Sequence, residues 1–381
     1  MEGKIIVISA VNLRKGGTLT ILRQCLEFLS SWGSTHGYRV VALVHRRSLA
    51  DFANIEYIEI PWAIDGWGKR LWCEYVTMHK ISKQLGDVEL WLSLHDTTPR
   101  VKAKRQAVYC QTSFPFLKWR WRDFQFDPKI PLFAMLTRFA YRINIHRNKY
   151  LIVQQEWLRA GFSQMFGIGK ERFIVAPPPR DLTPPVYSPI QPDGRFTFFF
   201  ASTADSHKNF ETLCQASRLL ELELGEDWFR TIITVKGDEN KYARYLHEQW
   251  GHVQSIEFAG LMDKPTLYAH YALADCFVFP SRIETWGLPI TEFINTNRAL
   301  GIDKPLLLAN LPYAHETSRD ASLVSFFEAE NHAQLVLLMK NIAKNLPPKG
   351  IITSYNAQES ENKNYQTYAK DWEQLLETLL G

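Results

Sequence analysis

The chain has 381 residues, of which 46% are hydrophobic and 22% charged, and its formal net charge is +4. These proportions are those of an ordinary globular protein, and they exclude a disordered chain, a collagen-like chain and a small disulfide-stabilised scaffold; at roughly 150 residues per domain the length predicts two or three domains. The charge is too small to indicate nucleic-acid binding by itself, whereas an aromatic content of 13%, with twelve Trp, indicates stacking or membrane-surface contacts beyond the core.

The first half of the chain alternates short apolar segments with amphipathic helical patterns. A helix is predicted at residues 18–30, where leucines recur on one face. Strands are predicted at residues 5–9, 40–44, 56–60, 89–93, 106–110, 150–153 and 172–176. Because these segments are apolar throughout rather than alternating, we expect helices on both faces of the sheet, as in a parallel doubly wound α/β domain.

Seven of the nineteen prolines lie in residues 177–193. Proline lacks an amide donor and disfavours helix in the preceding residue, so this segment predicts an interdomain linker, which we assign to 181–193. The alternation then restarts, with strands predicted at 196–201, 230–236, 255–258, 276–279 and 305–309 and helices at 209–222, 265–274 and 333–344. We predict an N-terminal domain at 1–180, a C-terminal domain at 194–360 and a terminal helix at 361–381 that returns to the N-terminal domain. The two doubly wound domains are expected to face a cleft, because such sheets bind ligands beyond the carboxyl ends of their strands.

The five cysteines form no Cys-x-x-Cys pair, are odd in number and lie in apolar segments. We therefore predict buried thiols in a reducing compartment. No uncharged apolar stretch of about 18 residues occurs, so no transmembrane helix is predicted. The N-terminal sequence is typical of a first strand rather than of a signal peptide, and a cytoplasmic protein is expected.

The strongest functional signal is the segment 280–292, PSRIETWGLPITE, which follows a predicted strand and leads into a helical pattern. Its second proline suits the first position of a helix, so that Gly287 and Leu288 offer free amides at a helix N-terminus, where an anion can bind. Glu284 and Glu292 flank that point, and their carboxylates are bidentate acceptors suited to vicinal sugar hydroxyls. The alternative is a helix cap with two solvated glutamates.

This segment resembles the Glu-x7-Glu motif of retaining GT-B glycosyltransferases, the glycogen-synthase-like class known as glycosyl transferases group 1, which includes many bacterial polysaccharide glycosyltransferases. The resemblance covers essentially the whole chain and implies two Rossmann-like domains. It implies that Glu284 contacts hydroxyls of the donor sugar and that Glu292 holds the ribose of the nucleotide. The other donor-site residues implied within the segment are Arg282, Thr285, Trp286, Gly287 and Leu288.

A second signal is Lys208, at the start of a helix after the first strand of the second domain. A lysine at such a turn can neutralise a diphosphate leaving group, although a solvated lysine beside a helix cap is the alternative. The position matches the lysine of the family, which implies a catalytic role. The family usually has an arginine a few residues earlier, and residues 202–205 contain none. Charge compensation is therefore expected to depend on Lys208, on helix amides or on Arg282.

Three glycines complete the predicted donor site, while Gln111 is a predicted catalytic residue and His95 a predicted residue of the acceptor side. Gly16 and Gly17 follow the first strand, where the backbone can approach a ligand closely, although a tight connection is the alternative. The resemblance implies that these glycines approach the donor phosphate or the acceptor, and that Gly237 lies near the base pocket. Many relatives have a histidine where this chain has Gln111, which can hydrogen-bond a sugar but cannot act as a base. His95 is the alternative residue near the anomeric carbon.

Residues 117–149 combine eight Lys or Arg with two Asp and interleaved aromatic side chains. Basic and aromatic residues in an amphipathic segment indicate peripheral contact with the cytoplasmic face of a membrane. A helix packed on its domain with a solvated basic face is the alternative, and nucleic acid is not expected, although the same composition suits single strands. Trp119 and Trp121 are candidates for contact with the acceptor.

No Asp-x-Asp motif and no His or Cys set with metal-ligand spacing occurs, so neither a metal nor another cofactor is expected. The motifs and the resemblance together predict a hexosyltransferase that uses a UDP- or GDP-sugar and a glycan or lipid-linked oligosaccharide acceptor. Its expected role is the synthesis of lipopolysaccharide O-antigen, capsule or another surface polysaccharide, with retention of configuration. The alternatives are another GT-B enzyme, namely a sugar-nucleotide epimerase or a glycan phosphorylase, and a catalytically silent scaffold.

Overall fold

The computed structural model describes residues 4–178, 184–344 and 368–381 of the chain. The chain divides into two compact units, each built on one parallel β-sheet. The first unit comprises Met1–Thr112, Leu136–Pro178 and Asn362–Gly381, and the second comprises Ser113–Met135 and Pro179–Glu361.

The sheet of the first unit has, among the described residues, seven parallel strands in the order β3-β2-β1-β4-β5-β6-β7. The strands are β1 (Lys4–Ala10), β2 (Tyr38–Val44), β3 (Ile55–Glu59), β4 (Val88–Ser93), β5 (Arg105–Tyr109), β6 (Tyr150–Val153) and β7 (Phe173–Val175). The direction of the connections reverses between β1 and β4. The carboxyl ends of these two strands are therefore the point at which a doubly wound sheet binds ligands.

The sheet of the second unit has six parallel strands within the described ranges, in the order β10-β9-β8-β11-β12-β13. The strands are β8 (Phe196–Phe200), β9 (Phe229–Ile233), β10 (Ile256–Phe258), β11 (Cys276–Phe279), β12 (Leu306–Ala309) and β13 (Val324–Phe327). Here the connections reverse between β8 and β11, so the loops that follow these strands form the second switch point.

Helices provide the crossovers that parallel strands require. In chain order they are α1 (Gly16–Thr35), α2 (Trp67–Trp72), α3 (Met78–Leu85), α4 (Asp123–Phe126), α5 (Lys129–Arg142), α6 (Glu156–Phe166), α7 (Phe210–Leu224), α8 (Lys241–Trp250), α9 (Lys264–Leu273), α10 (Leu288–Ala299), α11 (Pro312–Thr317), α12 (His332–Ala343) and α13 (Trp372–Leu380). A π-helical turn, Cys73–Thr77, joins α2 to α3.

Both faces of the first sheet are covered. Alternate residues of β1 enter different cores, since Ile6 packs in the cluster that contains Leu26 of α1, and Val7 packs in the cluster that contains Met78 of α3. Helix α13 adds Leu376 to the first of these clusters. Burying each such side chain contributes about 1.5–3 kcal/mol, which is why the strands are apolar throughout.

The core of the second unit is rich in aromatic residues. Phe198, Phe199 and Phe200 of β8 are all fully buried, and so is Phe277 of β11. The Phe200 ring lies 5.4 Å from the Phe279 ring at nearly a right angle, a favourable edge-to-face arrangement. Consecutive buried residues on one strand again require cover on both faces of the sheet.

The prediction of two parallel α/β domains is confirmed, and every predicted strand is present with ends shifted by a few residues. The largest shift is at 230–236, where β9 ends at Ile233. Strand β13 was not predicted, because it has only four residues and Ser325 interrupts its apolar pattern. The five cysteines are buried and free, as predicted.

The division of the chain differs from the predicted domain boundaries in one segment. Residues 113–135 lie in the N-terminal half of the sequence but group with the second unit. Their contacts explain this, since Asp123 pairs with Arg282 and Phe126 packs against Tyr242. Partners that lie more than a hundred positions away leave no local pattern in the sequence.

The predicted linker and terminal helix are described only in part. Residues 179–183 of the linker and 361–367 of the terminal segment lie outside the described residues. Tyr368 pairs with Val175 of β7, and α13 packs against β4 and β5. None of the helices in the described part of the chain is long and apolar enough to cross a membrane.

Candidate active site

A lysine and a glutamate meet at the switch point of the second sheet. Lys208 Nζ lies 2.7 Å from Glu284 Oε1, and each side chain is 14% exposed. Lys208 ends a short turn after β8, and Glu284 lies in the loop after β11. Because β8 and β11 are neighbours in the sheet, their loops bring together two residues that are 76 positions apart. The result is a partly exposed ion pair at the edge where ligands bind.

The loop after β11 is held in shape before it enters α10. Tyr313 donates a hydrogen bond to the Ser281 carbonyl at 2.7 Å, and Trp286 Nε1 donates one to Thr291 Oγ1 at 2.9 Å. Trp286 is therefore a buried support of this loop. Gly287 precedes α10 with a φ of +89°, which favours glycine, and an added Cβ would lie 3.3 Å from Ile290 Cδ1. The first amides of α10, from Leu288 onward, follow this turn.

Glu292 lies on α10 among buried tyrosines. Tyr271 donates a hydrogen bond to Glu292 Oε2 at 3.1 Å, and Tyr268 also bonds this carboxyl group. Burial raises the pKa of Glu292 above its ordinary value, while the bond from Tyr271 and the charge of Lys264 oppose the shift. The two phenols orient the carboxyl group, and α9 supplies both of them.

Arg282 is committed to a buried ion pair. Its Nη2 atom lies 2.7 Å from Asp123 Oδ1, and the side chains of Arg282 and Asp123 are 6% and 0% exposed. Burial raises the pKa of Asp123, but the Arg120 amide and the Arg282 guanidinium outweigh that effect and the pKa falls below its ordinary value. The neighbouring His207 is neutral, because burial and the charges of Lys208 and Arg282 lower its pKa well below the usual range.

Gly237 follows β9 in a conformation that requires glycine. Its φ is +110°, and an added Cβ would lie 2.7 Å from His247 Cβ. The Gly237 amide donates to Glu239 Oε2 at 2.9 Å. These contacts account for the glycine by backbone geometry alone.

His95 lies at the switch point of the first sheet, at the end of β4. Its Nε2 atom is 3.0 Å from Ser9 Oγ on β1, and its Nδ1 atom is 3.0 Å from Thr97 Oγ1. Burial and the charge of Arg70 lower the pKa of His95 well below its ordinary value, so the imidazole is neutral. After β1 and a short loop, Gly16 begins α1 with a φ of +62° and Gly17 follows it in the helix.

Gln111 is held by the loop that carries His95. The Gln111 amide donates to Asp96 Oδ1 at 2.5 Å, and its Nε2 atom donates to the Leu94 carbonyl at 2.7 Å. Asp96 itself has a φ of +67°, an uncommon conformation for a residue with a side chain. Burial raises its pKa to about 7, although the amides of Gln111 and Thr112 oppose the shift. Sequence reasoning missed Asp96, for which the only signal is an acidic residue directly after a buried strand end.

The two acceptor-side tryptophans belong to the second unit. The Trp119 and Trp121 rings lie 5.5 Å apart at a right angle, and Trp121 is 79% exposed. Thr285 Oγ1 donates to Ser113 Oγ at 3.4 Å, which links the same segment to the Glu284 loop. His95 and Gln111, by contrast, belong to the first unit.

In the described part of the chain, the Lys208–Glu284 pair belongs neither to a metal-binding cluster nor to the lining of a neighbouring cavity. The described ranges contain no cluster of three or more His, Cys, Asp or Glu side chains that could hold a metal ion. A cavity of about 230 Å³ lies beside the Lys208 loop, and neither Lys208 nor Glu284 lines it. Its lining residues are Phe126, Asp127, Ile130, Ala204, Asp205, Ser206, Asn240 and Lys241.

Comparison with known proteins connects this geometry to a family. Residues 188–346 match the sequence model of the family Glycosyl transferases group 1. This span includes Lys208, Glu284 and Glu292. A similar protein, the O-antigen chain mannosyltransferase B of Escherichia coli, is 29% identical over 126 residues. That match spans 33% of this chain and only 32% of the length of the relative.

Two solved structures are similar over nine-tenths of both chains. One is the apo form of the lipopolysaccharide outer core galactosyltransferase WaaB, with a TM-score of 0.60 and 10% sequence identity. The match covers 90% of each chain. The Anabaena protein Alr3699/HepE in complex with UDP-glucose has a TM-score of 0.57 at 13% identity, with 90% of each chain covered. The chain therefore has the GT-B fold of these structures, and its residues 188–346 match the family Glycosyl transferases group 1.

Proposed function

We propose that this protein is a hexosyltransferase that moves a sugar from a UDP- or GDP-sugar to a hydroxyl of a glycan acceptor, with retention of configuration. The observation that carries the proposal is the Lys208–Glu284 pair, 2.7 Å apart beside the N-terminus of α10 and inside the group 1 domain. A cation, free helix amides and a carboxylate in one place are the groups that an activated sugar diphosphate requires.

Each residue of this pair has a different proposed role. Glu284 accepts hydrogen bonds from hydroxyls of the donor sugar, because a carboxylate can hold two neighbouring hydroxyl groups. Lys208 and the amides of Gly287 and Leu288 stabilise the negative charge that develops on the leaving diphosphate. This stabilisation counts most in the transition state, so Lys208 acts mainly on turnover.

The proposed reaction breaks the bond between the anomeric carbon and the diphosphate oxygen, and forms a bond from that carbon to the acceptor oxygen. The departing phosphate oxygen takes the acceptor proton on the same face of the sugar, which retains the configuration. Glu292, held by the phenols of Tyr271 and Tyr268, binds the ribose of the nucleotide. Gln111 or His95 is the proposed contact near the anomeric carbon, with Gly16 and Gly17 on the same unit.

Transfer is proposed to proceed without a metal ion. Lys208 and the helix dipole of α10 supply positive charge where a divalent cation would act in a metal-dependent transferase. Arg282 adds little to this charge, because Asp123 neutralises it at 2.7 Å. Gly237 remains a proposed neighbour of the nucleotide base, and Thr285 and Trp286 are proposed to shape the donor loop.

The acceptor is proposed to be a lipid-linked glycan of a surface polysaccharide. The names of two similar proteins, an O-antigen chain mannosyltransferase and a lipopolysaccharide outer core galactosyltransferase, support this class of acceptor. Such acceptors are held in a membrane, so the enzyme must approach the cytoplasmic membrane surface. Trp119 and Trp121 remain proposed acceptor contacts, and the 79% exposure of Trp121 leaves its ring accessible.

One face of α5 supports peripheral membrane contact. Apolar side chains that are 40–58% exposed recur at helical spacing along this face. They are Leu132, Met135, Leu136, Phe139 and Ile143, of which Ile143 lies just after the end of α5. Lys129, Arg138 and Arg142 lie along the same helix and are exposed. An exposed apolar stripe with flanking cations suits an anionic membrane surface. By contrast, Arg120 and Arg122 face Glu211 within the second unit.

The decisive experiment is a thermal-shift screen of UDP-, GDP- and ADP-sugars, followed by transfer to lipid-linked glycans with linkage analysis of the product. A donor at about 100 times its Kd stabilises the folded protein by about 2.7 kcal/mol, which raises Tm measurably. Transfer with retained configuration supports the proposal. Turnover without acceptor indicates an epimerase, pyridoxal-dependent phosphorolysis indicates a phosphorylase, and the absence of any nucleotide effect indicates a silent scaffold.

A further inference from the structure

A short segment from the N-terminal half of the chain is fastened to both loops of the proposed donor site. We call residues 113–126 the belt; it belongs to the second unit and ends with α4. The two loops in question are 202–208, which carries Lys208, and 280–287, which carries Glu284. The belt touches each loop at more than one point.

Arg282 is the point where the belt and the two loops meet. Its Nη2 atom donates to Asp123 Oδ1 of the belt at 2.7 Å and to the Ser206 carbonyl at 3.3 Å. Its Nη1 atom donates to the Lys118 carbonyl of the belt at 3.3 Å. The Arg282 backbone amide donates to the His207 carbonyl at 2.8 Å. One residue therefore connects the belt, the lysine loop and the glutamate loop.

The central ion pair is almost completely buried, since the Arg282 side chain is 6% exposed. The Asp123 side chain is 0% exposed, and its second oxygen accepts the Arg120 amide at 2.7 Å. A buried charge that loses its partner is strongly destabilising, so Asp123 and Arg282 constrain each other tightly. The planar guanidinium fixes direction as well as distance, because its donors lie in one rigid fork.

Further contacts reinforce the same two connections. The Phe114 ring meets the His207 ring edge-on at 5.2 Å, next to Lys208. Ser113 Oγ accepts a hydrogen bond from Thr285 Oγ1 at 3.4 Å, next to Glu284. The belt thus contacts the immediate neighbour of each residue of the 2.7 Å pair.

The other end of the belt is anchored on helices α7 and α8. Arg122 Nη2 lies 3.4 Å from Glu211 Oε1 of α7 and donates to the Tyr245 hydroxyl of α8 at 2.9 Å. Phe126 packs against the rings of Tyr242 and Tyr245, with centroids about 5 Å away. Helices packed on the sheet are rigid supports, so the belt holds the loops against a fixed frame.

We propose that the belt sets the relative position of Lys208 and Glu284, and that Asp123 is a positioning residue of the transfer reaction acting through Arg282. The kinetic part of this inference rests on the proposed function. Misplacement by about 1 Å can cost two orders of magnitude in rate, so a loosened belt lowers kcat. Nucleotide affinity changes little, because Glu292 is oriented by Tyr271 of α9 and not by the belt.

The test compares D123N with D193N. Asp193 forms ion pairs with Arg195 and Arg230 in the same unit, at the amino ends of β8 and β9 and away from both loops. We expect D123N to lower kcat at least about ten-fold, with the Kd of the nucleoside diphosphate changed less than about three-fold. D193N should leave both values within about two-fold of wild type.

Hydrogen exchange gives a readout that does not require turnover. In D123N the amides of 206–208 and 280–287, which include the Arg282 amide, are expected to exchange faster, and in D193N they are not. F114L, which keeps the ion pair and weakens the contact with His207, is the milder variant if D123N does not fold; it should lower kcat about three-fold.

Two results separate this inference from the proposed function. If D123N or F114L lowers Tm but leaves kcat per folded molecule and loop exchange unchanged, the belt has only a structural role and the inference is wrong. If wild type turns over no nucleotide sugar, the proposed function is wrong, and loop exchange alone then decides whether the belt positions the two loops.

Discussion

The Tyr271 hydroxyl donates a hydrogen bond to Glu292 Oε2 at 3.1 Å, from one buried helix face to another. The Tyr271 side chain is fully buried, so the bond persists only if α9 and α10 keep their packing. This bond favours the ionised form of Glu292, whose pKa burial raises. Glu292 is the residue proposed to bind the ribose, and its orientation and charge therefore depend on a tyrosine that lies outside the sequence motif.

We expect Y271F to weaken nucleotide binding about ten-fold, because the ionised carboxyl loses a hydrogen bond worth about 1.4 kcal/mol and its pKa rises further. Isothermal titration with the preferred nucleoside diphosphate measures this loss. The control is Y57F, which removes a partly buried hydroxyl that donates to the Ala50 carbonyl of the first unit at 2.8 Å. An unchanged Kd in Y271F would contradict the role given to Tyr271.

Replacement of Lys208 should act mainly on turnover. Removing one preorganised charge-stabilising group typically costs about a hundred-fold in kcat, so K208A is expected to lose about that factor while retaining nucleotide binding. Steady-state kinetics with saturating donor measures the effect. The matched control is K340A, which breaks a 2.6 Å pair with Glu223 on the surface of the same unit and should keep wild-type kcat. Normal transfer by K208A would show that the site is misassigned.

Asp96 should make stability depend on pH. Burial raises its pKa from 3.8 to about 7. Between these values the folded protein retains a proton that the unfolded chain has lost, so the free energy of unfolding falls as pH rises, by up to about 1.4 kcal/mol per pH unit.

Substituting asparagine removes this titration. The stability of D96N relative to wild type is therefore expected to increase between about pH 5 and about pH 8, as measured by urea unfolding at each pH. D51N, which changes an exposed carboxylate paired with Arg47, should follow the wild-type profile. Parallel profiles for D96N and wild type would show that Asp96 is ionised throughout this range.

Metal dependence is a direct test of the proposed charge compensation. We expect transfer to continue in excess EDTA, because Lys208 and the α10 amides stabilise the leaving diphosphate. Addition of Mg²⁺ or Mn²⁺ to the treated enzyme should change kcat less than about two-fold. Loss of activity in EDTA with recovery on Mn²⁺ would assign that role to a cation.

The exposed face of α5 should bind anionic vesicles. Phe139 is 57% exposed, and F139E places a negative charge on the apolar stripe. The fraction of protein that floats with phosphatidylglycerol vesicles should therefore fall about ten-fold. The control is L222E, which changes a leucine of α7 that is 75% exposed. Binding by wild type should weaken as salt is raised. Equal flotation of both variants would place any membrane contact elsewhere.

Several elements were predictable because their signal is local. Strands such as 40–44 are continuous apolar runs. The helix that begins after Gly287 is indicated by Pro289, whose fixed φ suits the first turn of a helix. Glu284 and Glu292 were predicted from their spacing around that helix start, and Lys208 from its place after a strand. Strand β13 was missed because four residues interrupted by a serine carry too weak a pattern.

The unpredicted residues share a different property. Asp123 is defined by Arg282, 159 positions away, and Tyr271 by Glu292, 21 positions away on another helix. Asp96 likewise gains its partners from the loop after β5. Each of these side chains is ordinary in its local sequence, and its chemistry comes from desolvation and from partners that other elements deliver.

The amino-acid sequence by itself determines the local structure of this chain, because apolar periodicity, proline and glycine decide where strands, helices and turns form. It also places the two acidic residues, Glu284 and Glu292, on either side of a helix start. Only the folded molecule decides that residues 113–135 join the second unit, that Arg282 faces Asp123, and that Lys208 reaches Glu284. The physical reason is range, since backbone preferences act over a few residues, whereas burial and ion pairing act between neighbours in space.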